Sequence, residues 1–234
     1  MMASFGDTVW NRRGLGGSME LPKNLYAGLI GLWTTLGIAS SAAAASVSMS
    51  WQLTGGQMLL LSLGAFVVSL LGIFISMGSD HPIVSFIGYM LVTVPFGFMV
   101  GPVVAIYTIA SVFKVLAVTS GVTIALGIVG AIYPKSLESW GIFLFGGLLI
   151  LILAMFFVPL MGFFGLPVEG ALTWIDWIAV FLFSGYVIYD MNRAMRLPRT
   201  LDNSIDAAVA IYLDFANLFL HLLRIMGNSS SSSD

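Results

Sequence analysis

Cysteine is absent from the 234 residues, which excludes a disulfide framework, a thiol nucleophile and a thiolate metal site. Charge is scarce as well, at 9% Asp, Glu, Lys and Arg, against 59% hydrophobic residues and a mean hydropathy of +1.00. A soluble chain of this length has too little interior to hide that much apolar surface, so the chain belongs in a membrane. Period-two alternation is missing, which argues against a β-barrel, and there is no internal repeat. The class expected is an all-α integral membrane protein. Its first partner is the lipid bilayer, and nucleic acid is not expected among the others.

Seven apolar runs reach the roughly 20 residues needed to cross a hydrocarbon core. They are Leu25 to Val47, Leu53 to Met77, Ile83 to Tyr107, Ile109 to Tyr133, Trp140 to Leu160, Trp174 to Met195 and Ile205 to Met226. They leave a cytoplasmic arm at 1–24, a seven-helix domain at 25–227 and a serine-rich, low-complexity tail at 228–234. Pro95, Gly97, Gly101 and Pro102 crowd the third run, as suits a kinked helix whose neighbours approach closely. Lys and Arg are absent from three alternate loops. With the N-terminus inside, Arg12, Arg13, Lys23, Lys135, Arg193, Arg196 and Arg199 all fall on the cytoplasmic side, and the C-terminus lies outside.

Carboxylates inside such runs are costly unless protonated, paired or facing water, so each is a candidate functional group. Asp190 and Asp214 stand 24 residues apart around the polar break LPRTLDNS. In an antiparallel helical hairpin both would lie about eight residues, or roughly 12 Å, from the loop, at one depth. Two carboxylates in contact do not easily ionise together, so one shared proton is the expected resting state. Loss of that proton would set the last two helices against each other or attract a cation, which suits pH sensing or gating. The seventh run adds a polar stripe of Asp206, Ala210, Asp214, Asn217, His221 and Arg224 within about 80° of arc. That stripe must face other helices or a water-filled path. Its bland reading has Asn217 and His221 hydrogen-bonding to neighbouring helices while Arg224 snorkels outward. Arg193 and Arg196, one and two turns beyond Asp190, offer that acid a helix-end ion pair. His81 lies in the turn after the second run, where it is solvated or approaches the acid pair. Lys114 either pairs with Glu169 or Asp176 or snorkels outward. Two carboxylates with Asn217 or carbonyl groups fall short of the six to eight oxygens that Ca²⁺ prefers, so any calcium site at Asp190 and Asp214 is weak and transient.

The stretch FSGYVIYDMNR…AVAIYLDFANLFLHLLRIMG, from Phe183 to Gly227, resembles the closing hairpin of the Bax inhibitor-1 family. Gly97-Phe98-Met99-Val100-Gly101-Pro102 is similar to that family's glycine-glycine-proline motif. The resemblance is to the bacterial YccA-like, calcium-leak branch. It implies six helices surrounding a central, polar seventh, and it implies that Asp190 and Asp214 are a di-aspartyl pH sensor controlling a calcium leak. It further implies a bacterial inner membrane, calcium as the permeant ion with no tightly bound cofactor, and a membrane-bound ATP-dependent protease as an alternative partner that the protein would regulate without conducting. In the calcium-leak relatives a basic residue closing the second helix latches the acid pair. Here that helix ends in FISMGSD with no base, so the latch is missing, replaced by His81, or supplied by Arg193 or Arg196. An enzyme is not expected. Intramembrane aspartyl proteases need Gly-x-Gly-Asp where this chain has Tyr212-Leu213-Asp214, and a retinal protein needs a lysine in the seventh run.

Overall fold

A computed structural model of the chain describes residues 20–227. Most of the arm expected at 1–24 and all of the tail at 228–234 lie outside the described residues. Seven helices follow one another: α1 (Lys23–Ser48), α2 (Gly55–Gly78), α3 (Pro82–Val104), α4 (Ile109–Ile132), α5 (Trp140–Phe163), α6 (Glu169–Ala194) and α7 (Leu201–Met226). Each is long and apolar enough to cross a membrane, and no β-strand occurs among the described residues.

Local chemistry sets the helix starts. Thr54 and Gln57 form a reciprocal capping box at α2, each side chain meeting the other's backbone N–H. His81 opens α3, with Pro82 as the first helical residue and the ring Nδ1 accepting from the Ile83 N–H at 3.3 Å. His81 is thus an exposed helix cap, in keeping with the solvated turn expected of it. Thr108 accepts from the Ser111 N–H and starts α4 only four residues after α3 ends. Thr200 does the same for α7, accepting from the Asn203 N–H at 3.1 Å. As a result α7 begins at Leu201, four residues ahead of the apolar run.

The chain divides into two compact units. The first contains α1, α2 and α3 together with Ala194–Tyr212, and so the opening half of α7. Here backbones touch. A Cβ on Gly88 would sit 2.5 Å from the Ser76 nitrogen and 2.6 Å from the Gly72 carbonyl oxygen, so α2 and α3 meet at glycine. Side chains at Gly97 and Gly101 would run into the α1 backbone at Ser41 and Ala45, which confirms the close approach expected of the third helix. Pro95 interrupts the hydrogen-bond ladder of α3. The adjoining carbonyls of Val92 and Thr93 accept from Ser69 and Ser41 at 3.3 and 2.7 Å.

The second unit contains α4, α5 and α6 up to Arg193, with α7 from Leu213 onward. Leu151, Ile175, Ala179, Phe183, Val187 and Leu218 form its core. Enclosure is uneven along the chain. In α7, 61% of the membrane-length window is buried, against 39% in α3 and 6% in α5. The helix richest in polar groups is therefore the one furthest from lipid.

Replacing Gly88 by Ala is expected to destabilise the protein by about 1–3 kcal/mol, since the neighbours are backbone and cannot yield. Gly28→Ala, where the new methyl group meets nothing within 4 Å, is expected to be neutral or slightly stabilising. Unfolding of the purified variants in detergent would check both.

Candidate functional site

Asp190 lies one turn before the end of α6, and Asp214 lies thirteen residues into α7. Hairpin symmetry had set both about eight residues from the loop. The offset arises because Pro198 keeps α6 from continuing and Thr200 starts α7 early. The two carboxyl groups nevertheless come into hydrogen-bonding contact. Asp214 is 5% exposed and Asp190 is half-buried. No donor among the described residues reaches Oδ2 of Asp214. A proton held between the two acids would relieve their repulsion.

The surroundings of the pair are built by α6. Tyr186, one turn before Asp190, feels the charge of both acids. Arg193 acts electrostatically on Asp190, and its guanidinium lies 6.0 Å from the centroid of the Tyr189 ring. Arg196, two residues past the end of α6 at Ala194, is exposed.

The polar stripe of α7 resolves into separate contacts. Asp206 accepts from the Ser76 hydroxyl at 2.6 Å, and Asp202 from Ser85 at 2.6 Å. Asn217 departs from expectation, because its amide bonds back to the Leu213 carbonyl of its own helix at 2.8 Å and not to a neighbour. His221 does reach another helix, with Nδ1 2.7 Å from Asp176 Oδ1. Arg224 does not simply snorkel: its Nε donates to the same Asp176 oxygen at 2.8 Å. Lys114 is exposed on α4, and Asp176 is engaged by His221 and Arg224.

Three buried polar residues were not anticipated. Asp176 stood near the start of the apolar run at Trp174, as a possible partner of Lys114, yet α6 starts at Glu169 and Asp176 is buried. Its spacing to Ala179, Phe183 and Val187 places it on the core face of α6, and that periodicity was the available signal. Asp202 lay inside the polar break until Thr200 made it first-turn helix. Asn192 is 3% exposed. It accepts from the Leu137 N–H at 3.2 Å and donates to the carbonyls of Gly130, Tyr133 and Lys135 at 3.1–3.2 Å. One side chain thereby closes the end of α4 and the α4–α5 connection.

These features define a seven-helix integral membrane protein with a buried acid pair between its last two helices. The family model described as inhibitor of apoptosis-promoting Bax1 matches residues 29–231, and the chain belongs to that family. It is similar to the inner membrane protein YbhL of Escherichia coli K12, 32% identical over 149 residues. That alignment covers 60% of this chain and 62% of the relative, so less than two thirds of the relative's length is matched. Protein LIFEGUARD 1 of Arabidopsis thaliana is 40% identical over 91 residues, which is 38% of this chain and 35% of the relative. Protein lifeguard 4 of Mus musculus is 31% identical over 127 residues, 54% of this chain and 51% of the relative.

Replacing Asn192 by Leu would leave buried backbone groups without partners at about 1–3 kcal/mol each. The expected outcome is faster hydrogen exchange confined to residues 130–137, measured by mass spectrometry in detergent.

Proposed function

We propose that the protein is a pH-responsive cation leak in a bacterial inner membrane, with its N-terminus cytoplasmic, Asp190 and Asp214 as proton sensor, and calcium as the permeant ion. The observation that carries this reading is the contact of two carboxyl groups across α6 and α7, one of them holding a buried oxygen that lacks a donor. Such a pair is stable with one proton between its members and repels itself without it. Gaining or losing that proton changes the force between two helices, which is what gating requires. Arg193 is the best candidate for the latch, because it already acts on Asp190, whereas His81 caps α3. The ion would be held transiently. Two carboxylates leave most of a calcium shell to water, as suits passage more than storage. The inner-membrane assignment leans on the name of the bacterial relative.

Calcium flux into proteoliposomes across a pH series tests the proposal. Wild-type flux is expected to change by up to about tenfold per pH unit, the limit for a single-proton transition. Asp190→Asn and Asp214→Asn each keep the side-chain size and remove the titration, so either should flatten the response. An unaltered pH response in both variants would remove the sensor. Flux absent at every pH from folded wild-type protein would remove the leak itself.

A further inference from the structure

We propose that Asp176, His221 and Arg224 form a second proton-binding site, separate from the acid pair, in which a proton on His221 Nδ1 decides whether Arg224 bonds to the imidazole as well as to Asp176. The geometry contains a conflict that only a proton can settle. His221 Nδ1 lies 2.7 Å from Asp176 Oδ1 and also 2.7 Å from Arg224 Nη2. A guanidinium has donors and no acceptor, so Nδ1 meets Arg224 as an acceptor only when it carries no proton. A carboxylate is an acceptor, so Nδ1 meets Asp176 as a donor only when it does carry one. One nitrogen cannot do both.

Two arrangements follow. With Nδ1 bare, Arg224 bridges, giving Nη2 to the imidazole and Nε to Asp176 at 2.8 Å. With the ring doubly protonated, His221 donates to Asp176 and presents positive charge to Arg224, which is driven off Nδ1. The surroundings favour movement of the arginine over the other two. Its side chain is 42% exposed, whereas those of His221 and Asp176 are 3% and 10% exposed. The His221 ring is further held by stacking on Phe183 of α6, with centroids 6.0 Å apart and planes at 23°. Asp176 from α6 and Arg224 from α7 are the charged groups that act on His221 among the described residues. Arg224 Nη2 also lies 2.7 Å from Asp176 Oδ1, so acidification removes the link between Arg224 and the imidazole and leaves both cations on the one carboxylate, which rearranges the tie between α6 and α7.

Placement gives the site a purpose distinct from the first. His221 lies seven residues beyond Asp214 on the same face of α7, two turns or roughly 10 Å along the axis. The α6–α7 seam would then read protons at two levels, one through an acid pair and one through an imidazole. The second site rests on its own contacts and stands or falls independently of the leak.

The chain's two histidines and lack of cysteine make the test direct. In His81→Gln protein labelled with ¹⁵N-histidine and reconstituted in lipid, His221 gives the single imidazole signal. Between about pH 4.5 and 8.5, the range in which histidine switches act, its Nδ1 resonance should convert from an acceptor-type to a donor-type nitrogen. Spin labels at Leu172→Cys and Met226→Cys should report a pH-dependent change in the α6–α7 distance distribution. His221→Gln, which can donate to Asp176 without titrating, should abolish that change. A nitrogen signal that stays constant across the range overturns the proposal. So does a distance response that persists unchanged in His221→Gln.

Discussion

A polar side chain on a helix cut off from water must find its partner within the protein, and α7 carries more such side chains than any other element. The cost of leaving a carboxylate or an imidazole unpartnered in apolar surroundings amounts to several kcal/mol. Packing therefore follows the polar groups as much as the apolar ones. Ser85, Ser76, Asp190 and Asp176 each stand where Asp202, Asp206, Asp214 and His221 require them. The high burial of α7 is the geometric consequence.

The two units meet that requirement with different chemistry. In the first, serine hydroxyls donate to Asp202 and Asp206, neutral groups solvating carboxylates at 2.6 Å. In the second, acid meets acid, and acid meets imidazole and guanidinium. Acid–acid and acid–imidazole contacts change sign or strength when a proton moves. Glycine contacts between α2 and α3 and between α1 and α3 reinforce the division, since backbone in contact with backbone tolerates little sliding.

The family match runs over residues 29–231 and so takes in most of α1 and all of α2 to α7. The second helix ends in FISMGSD, with no basic residue. That stretch instead presents Ser76, a neutral donor already given to Asp206. Arg193, on the same helix as Asp190, acts electrostatically on that acid from within α6.

Composition and periodicity by themselves determined the membrane class, the seven helices to within a few residues, and the identity of Asp190 and Asp214 as the costly groups. Hydropathy is a sum over long windows, so it survives ignorance of every contact. Partners were another matter. Asp202 seemed to be loop because a threonine cap outweighed a polar run, and the burial of Asp176 was hidden because hydropathy cannot see one buried carboxylate near a helix start. Asn217 turned back on its own helix and His81 became a cap, each through local geometry of one or two hydrogen bonds. Only the tertiary structure could decide that Asp176, His221 and Arg224 share a single oxygen, because that junction joins residues 45 to 48 apart through side-chain directions that no spacing rule contains.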